Sequence, residues 1–293
     1  MNRDPVSTHL LETFVEVARL GSVSEAASLL GRSQPAISQR IRQLEDELGV
    51  ALFRPQGRGV VLTRDGESVL DYAREILAKL RAFPRLIDAQ STEPRGILRI
   101  GALATVARYV LVDAIHQMVS EHADVQIRVE VGLEHDLLAK LRDGWLDLVY
   151  FIGDIDSTGL QTRHLRDVPI VVASKAGTFA KRPTLKTLSE HRLLIWAGAR
   201  DPSFSQVEKH ARTKGLYRKD TIEISHIDSL KALAELGTGY AVLPDYVLAP
   251  ELAAGTLEIH PFPAFKLTFP FQVVWNPQTP FTQAMQVFDR KCV

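Results

Sequence analysis

The chain has a single cysteine, few aromatic residues, no excess of either charge and no long apolar run. Cys292 alone cannot build a disulfide or a cysteine-based zinc site within one chain, so we expect a cytoplasmic protein that needs no metal or cofactor. Apolar runs stay well short of the roughly 18 residues that a membrane helix needs, so we expect no membrane partner. The charged, amphipathic N-terminal stretch MNRDPVSTHLLETFVEVARLG does not have the pattern of a signal peptide.

What is present is a soluble, globular composition. The 293 residues are 45% hydrophobic and 24% charged, which predicts two or three domains with sizeable cores. Lys+Arg and Asp+Glu are both 35, so the formal charge is zero. This balance does not exclude nucleic acid as a partner, because binding depends on a local basic face.

Residues 1–64 have the pattern of three helices followed by a small hairpin. Gly21 ends the first helix, and a serine begins the second. Ser33 is the predicted N-cap of the third helix, with Pro35 in the first turn, where its missing N–H is not needed. Gly49 ends this helix, and ALFRPQGRGVVLT then predicts a two-stranded wing.

The third helix has the features of a helix that enters a DNA groove. At ~100° per residue, one apolar stripe faces the core and amide, hydroxyl and arginine side chains occupy the N-terminal tip and flanks. Such side chains can bond base edges and phosphates. The candidate DNA contacts are Arg32, Ser33, Gln34, Pro35, Ser38, Gln39 and Arg42, with Arg54 and Arg58 on the wing. The alternative is a helical hairpin that binds another protein.

The local charge distribution favours the DNA interpretation. Residues 1–64 contain eight arginines, no lysine and seven acids, a net charge of only +1. The arginines cluster on the third helix, its entry and the wing, whereas most acids lie on the first helix or at the far end of the third. The planar guanidinium of arginine can make two parallel hydrogen bonds to phosphate or guanine, which suits these groups better than the compact ammonium of lysine.

A fourth helix follows, with Thr63 as its predicted cap. Its apolar residues are spaced four and three apart, which is a heptad seam that packs either on the chain's own domain or on a second copy. Pro84 is predicted to end the helix near Phe83, and residues 88–96 to form a hinge. The seam consists of Val69, Ala73, Ile76, Leu80, Phe83 and Ile87.

From residue 97 onwards short apolar strands alternate with amphipathic helices, which predicts an α/β domain with mostly parallel sheets. About 195 residues are many for one sheet, so we expect two lobes. Ligands of such sheets bind at the carboxyl ends of the strands.

The chain resembles the LysR-type transcriptional regulators. Residues 10–66 match their N-terminal domain through GSVSEAASLLGRSQPAISQRIRQLEDELGVALF and then GRGVVLT, and LRDGWLDLVYF and LAELGTGYAVLP match segments of their effector domain. One departure is Pro55, which stands where the family usually has arginine two residues after Leu-Phe and which puts the wing's phosphate contact in doubt.

The resemblance implies an N-terminal all-α winged helix-turn-helix with a long linker helix, and a C-terminal two-lobed α/β effector domain similar to periplasmic solute-binding proteins. The expected domains are 1–64, the dimerising linker 65–95, and 96–293, with lobe I about 96–165 and 269–293 and lobe II about 166–268. The resemblance also implies base or backbone contacts from Gln34, Pro35, Ser38 and Gln39, and a homodimer or homotetramer on promoter DNA. RNA polymerase is a candidate partner.

A small-molecule effector is expected between the lobes. The resemblance places Thr105 where a helix-terminal hydroxyl binds an effector carboxylate, and Arg200 is a candidate to pair an anion. Glu134 near the cleft argues against an anion unless it caps its helix or pairs with Arg200. The sequence therefore favours a carboxylate effector without requiring one. The candidate effector contacts are Ala104, Thr105, Leu133, Phe151, Arg200, Ser203, His226 and Ile227.

An enzyme is the competing interpretation of the α/β domain. The histidines are scattered, and neither His-Glu-x-x-His nor Gly-x-Ser-x-Gly occurs. Asp143 and Asp147 flank a helix–strand turn, where solvated caps are favoured over an acid/base pair. We therefore predict a ligand-responsive regulator that is not an enzyme, with an enzyme or solute binder carrying a DNA-binding appendage as the alternative.

Overall fold

The computed structural model describes residues 6–179, 182–196, 202–260 and 267–292, without the side chains of 202–204. The N-terminal domain and linker contain five helices and one hairpin within these ranges. They are α1 Thr8–Leu20, α2 Val23–Leu29, α3 Gln34–Leu48, β1 Phe53–Gln56, β2 Gly59–Leu62, α4 Arg64–Ala82 and α5 Arg85–Ala89.

The predicted helix ends are confirmed by their capping geometry. Gly21 and Gly49 end α1 and α3 in the left-handed conformation, with φ of 62° and 76°. The Ser33 hydroxyl accepts from the Ala36 N–H at 3.4 Å, and Thr63 caps α4 through the Gly66 N–H at 3.0 Å. These side-chain acceptors satisfy N–H groups that have no partner inside the helix.

The wing is held to the helices by two backbone contacts. Val60 N–H donates to the Gly21 carbonyl at 2.9 Å, and a Cβ on Gly59 would lie 2.4 Å from the same oxygen, so only glycine fits there. Glu45 Oε1, near the end of α3, accepts from the N–H groups of Leu52 and Phe53 at 2.7 and 3.2 Å. One of the acids that follow the apolar stripe of α3 therefore anchors the entry to the wing.

The structure divides the predicted heptad seam of α4 into two parts. Ala73 is 1% exposed and packs in the core of the N-terminal domain, with the partly buried Val69 against the same core. The dimer contact that the resemblance implied for Ala73 is therefore wrong, and this part of the seam packs on the chain's own domain. Its later members are exposed: Ile76 and Leu80 on α4, Phe83 at the C-cap and Ile87 on α5, and Tyr72 of α4 is exposed as well. We call this set the α4 stripe.

The C-terminal domain is built on one mixed sheet. Its helices and strands are β3 Gly96–Ala102, α6 Ala104–Val106, a π-helical turn Ala107–Leu111, α7 Val112–Glu121, β4 Val125–Val131, α8 Glu134–Arg142, β5 Leu148–Ile152, β6 Gln161–Lys175, α9 Leu185–Ser189, β7 Leu193–Trp196, α10 Pro202–Thr213, β8 Ile222–Ile224, α11 Ile227–Glu235, β9 Tyr240–Pro244, a 3₁₀ turn Asp245–Leu248, α12 Ala249–Ala254, β10 Leu257–His260, β11 Thr268–Trp275 and α13 Gln283–Lys291.

Two lobes share this sheet. The strand order is β4-β3-β5-β11-β6-β9-β7-β8, with β10 on β6. Parallel pairs occur within each lobe, but β6 and β11 run antiparallel to their neighbours, so the sheet is mixed where mostly parallel sheets were predicted. The first half of β6 pairs with β11, and the second half pairs with β9 and β10. These two strands connect the lobes.

The linker is attached to lobe I of its own chain by arginines. Arg85 of α5 pairs through Nε with Asp147 Oδ1 at 2.7 Å, and both side chains are buried. Its Nη2 also donates to the Gly144 carbonyl at 3.0 Å. Arg81 donates to the Asp143 carbonyl at 2.6 Å and covers the ring of Trp145 at 4.1 Å. The turn between α8 and β5, residues 143–147, is therefore the docking point of the linker.

Candidate functional site

The N-terminal half of α3 presents polar side chains on an exposed face. Ile37, Ile41 and Leu44 are buried, which confirms the predicted core stripe. On the other side the candidate contacts Arg32, Ser33, Gln34, Pro35, Gln39 and Arg42 are exposed, and Ser38 is half-buried. Arg32, Ser33, Gln34 and Pro35 lie at the helix N-terminus, whose N–H groups and dipole favour an anion such as phosphate. Ser38, Gln39 and Arg42 continue along the helix.

Two of these side chains already have an intramolecular bond. Gln34 Oε1 accepts from the Ser24 hydroxyl of α2 at 3.0 Å, so its amide nitrogen stays available as a donor. Ser33 serves as the cap of α3, which leaves its hydroxyl hydrogen free to donate. The Ser24 contact was not predicted, because it joins two helices that are distant in sequence by ten residues.

The wing adds arginines beside α3. Arg54 is exposed in β1, and Arg58 is exposed at the tip next to Gly57, whose φ is 58°. Pro55, where the chain departs from the family pattern, is paired with Val60 in the hairpin. Because Arg54 and Arg58 both remain accessible, the wing retains two cationic side chains that can reach a phosphate backbone.

The α4 stripe is an uncovered apolar surface. Ile76, Leu80 and Phe83 are 46%, 49% and 68% exposed, and they follow the predicted spacing along one side of the helix. A row of this kind on a single helix has the geometry of a coiled-coil seam. Two members of the predicted seam pack inside the N-terminal domain, and the other members are exposed.

A cavity of about 920 Å³ lies between the two lobes. It is lined from lobe I by the ends of β3, β4 and β5 and the helices that follow them, from lobe II by β7, β9 and α11, and by the connecting strands β6 and β11. Its wall is formed by Leu103, Ala104, Thr105, Arg108, Tyr109, Val131, Gly132, Leu133, Glu134, His135, Phe151, Ile152, Asp154, Ile170, Trp196, Val207, Ser225, His226, Ile227, Asp228, Val242, Pro244, Tyr246 and Phe269.

Most of the predicted effector contacts meet in this cavity. Ala104, Thr105, Leu133, Phe151, His226 and Ile227 all line it, although they come from both lobes. The other two predicted contacts, Arg200 and the side chain of Ser203, lie outside the described residues. Their role as effector contacts stays a prediction.

The lobes touch across the cavity through hydroxyl groups. Tyr246, in the 3₁₀ turn after β9, donates its hydroxyl to Thr105 Oγ1 at 2.8 Å. Tyr109 of the π-helical turn donates to Asp228 Oδ1 at the start of α11. Neither tyrosine was predicted, because each acts across a gap of more than a hundred residues. A π-helical turn is itself a frequent mark of a functional site.

Asp228 belongs to a network that extends into lobe II. Lys231 Nζ lies 3.4 Å from Asp228 and 2.8 Å from Glu251, and donates to the Val247 carbonyl at 2.9 Å. Burial raises the pKa of Asp228, but the Tyr109 hydrogen bond and the nearby cations outweigh it, so the pKa lies below its ordinary value. The carboxylate is therefore ionised at neutral pH.

The two carboxylates that an enzyme interpretation would use form ion pairs with arginines inside the protein. Asp147 pairs with Arg85, and Asp143 lies 3.7 Å from Arg74. Burial raises the pKa of both carboxyl groups against the effect of these arginines. Within the described ranges no cluster of three histidine, cysteine or acidic residues has the geometry of a metal site. No helix among the described residues is long and apolar enough to cross a bilayer.

Two family models match the chain, one in the N-terminal domain and one in the C-terminal domain. Residues 8–67 match the family model of the bacterial regulatory helix-turn-helix protein, lysR family, and residues 91–290 match that of the LysR substrate binding domain. The HTH-type transcriptional activator CmpR of Synechocystis sp. is 28% identical, over 96% of this chain and 92% of its own length. The HTH-type transcriptional regulator PcaQ of Agrobacterium fabrum is 30% identical, over 86% and 82%.

Solved structures show the same fold. A full-length OxyR from Pseudomonas aeruginosa, in a variant with one cysteine replaced by aspartate, has a TM-score of 0.70 at 24% identity, with 99% of this chain and 95% of that chain covered. CbnR in a complex with its target DNA has a TM-score of 0.55 at 20% identity, with 98% of each chain covered. At these identities the likeness concerns the arrangement of helices and strands.

Proposed function

Because the chain belongs to the LysR family of DNA-binding transcriptional regulators, we propose that it reads promoter DNA with α3 and the wing and that a small molecule in the interlobe cavity modulates this binding. The observation that carries the proposal is the pairing of two features in one chain. An exposed helix N-terminus is surrounded by arginine, amide and hydroxyl groups, and a second domain encloses a cavity of about 920 Å³. Ligand sites commonly have volumes of roughly 300–1,000 Å³.

DNA recognition is assigned to donors on the exposed face of α3. The Gln34 amide, whose oxygen is held by Ser24, is oriented to donate, and Gln39 and Arg42 follow on the same exposed face. Amide and guanidinium groups distinguish base edges in the major groove. Arg54 and Arg58 supply phosphate contacts that add affinity without sequence preference.

The α4 stripe is assigned to a second copy of the chain. Pairing of two linker helices would bury Leu80 and Phe83 and place two recognition helices on half-sites one or two helical turns apart. Further contacts between effector domains would make a homotetramer that bends DNA. Promoter DNA and RNA polymerase are the macromolecular partners of this function.

The route from the cavity to the linker is short. The start of α8 and the end of β5 line the cavity at Leu133 and Phe151, and the turn that joins these two elements holds Arg81 and Arg85 of the linker. A molecule that closes the lobes therefore acts on two elements whose far ends dock α4 and α5. Such a ligand shifts the population between two arrangements of the oligomer by its preference for one of them.

The experiment that tests the function starts from genomic fragments selected by the full-length protein and footprinted with DNase. A protected region of about 50–60 base pairs supports the tetramer that the family resemblance implies. Gln34→Ala is expected to cost roughly 1–3 kcal/mol at the selected site and little on unrelated DNA. Gln43→Ala, an exposed residue of the same helix that donates to Glu47, is the matched control and should leave both affinities unchanged. A protein that shifts no DNA would contradict the proposal.

A further inference from the structure

Four side chains connect the two lobes across the cavity, in addition to the strands β6 and β11. Thr105 and Tyr109 of lobe I lie four positions apart, on the helical stretch that follows β3. Asp228 at the start of α11 and Tyr246 of the 3₁₀ turn face them from lobe II. We call these four residues the interlobe clasp. All of them line the cavity, so a molecule inside it lies against the groups that join the lobes.

The two hydrogen bonds of the clasp run in opposite directions. Tyr246 of lobe II donates its hydroxyl to Thr105 Oγ1 at 2.8 Å, and Tyr109 of lobe I donates to Asp228 Oδ1. The two tyrosine rings meet edge to face, with their centroids 6.4 Å apart and 74° between their planes. Rings in this arrangement attract each other beyond the effect of the apolar surface that they bury. Each lobe therefore contributes one donor, one acceptor and, with the donor, one ring.

Lys231 holds the lobe II half of the clasp together. Its buried ammonium lies 3.4 Å from Asp228 Oδ1 and donates to the carbonyl of Val247, the residue after Tyr246, at 2.9 Å. The same ammonium lies 4.5 Å from the centroid of the Tyr109 ring, which adds a cation–π contact. Because Lys231 fixes α11 and the 3₁₀ turn to each other, the two hydrogen bonds of the clasp form and break as one unit.

The acceptor on Asp228 is strong and its charge is balanced. Arg108 Nε, also from lobe I, lies 3.6 Å from Asp228 Oδ2, while Lys231 faces Oδ1. A hydrogen bond to an ionised carboxylate is stronger than one between neutral groups, so the Tyr109 bond is the stronger of the two. Every partner in the clasp belongs to this chain, and the clasp needs no bound molecule to complete it.

We propose that Tyr109 and Tyr246 are positioning residues that hold the lobes closed without a bound molecule, so that the clasp sets the resting state of the regulator. A molecule that enters the cavity changes the ratio of open to closed lobes from this resting value. Loss of the clasp shifts the same ratio with no molecule present. The regulatory meaning of the clasp rests on the function proposed above, whereas the closure of the lobes does not.

The test measures the distance between the lobes of the full-length protein by pulsed electron spin resonance. Spin labels are attached at Gln126→Cys in β4 and Leu236→Cys at the end of α11, two exposed positions, with Cys292 replaced by alanine. The other ends of these elements, at Val131 and Ile227, line the cavity, so opening of the lobes changes the distance between the labels. Labelled chains are assembled with an excess of unlabelled chains, so that distances within one chain dominate.

Tyr109→Phe and Tyr246→Phe each remove one hydroxyl and keep the ring. Each should raise the ratio of open to closed lobes by about fivefold or more, which is the effect of losing one hydrogen bond. Tyr240→Phe is the matched control, because the Tyr240 hydroxyl is buried in lobe II without a hydrogen-bond partner among the described residues, and it should keep the wild-type ratio. If both clasp variants keep the wild-type distances, the proposal is overturned.

Variants of Thr105 separate the shared bond from a general effect on packing. Thr105→Val keeps the volume and loses the acceptor, so it should open the lobes as Tyr246→Phe does, whereas Thr105→Ser keeps the hydroxyl and should resemble the wild type. The double variant Thr105→Val/Tyr246→Phe should open the lobes little further than either single variant, since both remove the same bond. Additive effects would show that Tyr246 does not act through Thr105 and would overturn the clasp.

DNA binding of the same variants is measured by gel shift on the selected site, with no small molecule added. Tyr109→Phe and Tyr246→Phe should change the affinity in the same direction by about fivefold, at the lower end of measured couplings between sites, and Tyr240→Phe should not. Lobes that open while the DNA affinity stays unchanged would show that the clasp does not set the state of the regulator. If the wild-type protein binds no DNA, the proposed function fails, and the distances still decide whether the clasp closes the lobes.

Discussion

Replacement of Arg58 by alanine tests the wing directly. Arg58 is exposed at the wing tip, and each dimer of the proposed homotetramer presents two such wings to a duplex that carries one pair of half-sites. Each arginine–phosphate contact contributes about 0.9 to the slope of log K against log salt, so the loss of two contacts flattens the slope by about 1.8. Between 50 and 200 mM salt the wild-type protein should then lose roughly twelvefold more affinity than the variant does. The same loss should appear on specific and unrelated DNA, because phosphate contacts carry no sequence information.

The assay is fluorescence anisotropy of a labelled duplex at four or more salt concentrations, with wild type and variant measured in parallel. Arg19→Ala is the matched control, because it removes the same charge from α1, where Arg19 pairs with Glu16 at 2.8 Å. The control should keep the wild-type slope. If Arg58→Ala keeps both the affinity and the slope of the wild type, the wing does not contact the DNA backbone.

Three further predictions concern assembly and stability. Leu80→Asp places a charge in the α4 stripe and should therefore convert the oligomer to smaller species, as measured by light scattering. The control Leu236→Asp alters another exposed leucine, in lobe II, and should leave the size of the oligomer unchanged. Asp147→Asn should lower the free energy of unfolding by about 3–5 kcal/mol in urea, since it leaves the buried Arg85 unpaired. Burial lowers the pKa of His260 below 6.5, against a smaller opposite effect of Glu258, so the unfolded chain takes up a proton that the native chain excludes. Stability should therefore fall between pH 7.5 and 5.5, and His260→Gln should reduce this dependence; an equal dependence in both proteins would refute it.

The helix ends and the core stripe of α3 were accessible from the sequence because they depend on neighbouring residues. Ser33, Thr63 and Gly49 act within four residues of the backbone groups that they satisfy. Apolar periodicity identified Ile37 and Leu44 for the same reason, since the period of a helix determines which face can be buried.

The division of the α4 seam was not accessible in this way. Heptad spacing shows that residues share a side of a helix, but Ala73 and Ile76 have the same pattern and opposite environments. What separates them is how far the packed N-terminal domain extends along α4, which depends on residues far away in the chain. The docking of Arg85 on Asp147, across sixty-two positions, has the same origin.

The sequence by itself determined the order of the domains and the candidate recognition helix α3 with its caps and arginines. It also determined the strand-then-helix pattern that places Thr105 and Leu133 at strand ends. Only the tertiary structure decided which of these strand ends face one cavity, and that Tyr109 and Tyr246 join the lobes across it. The physical reason is the range of the interactions. Capping and periodicity act over a few residues, whereas the charge and shape of a cavity are sums over side chains that meet only when the chain has folded.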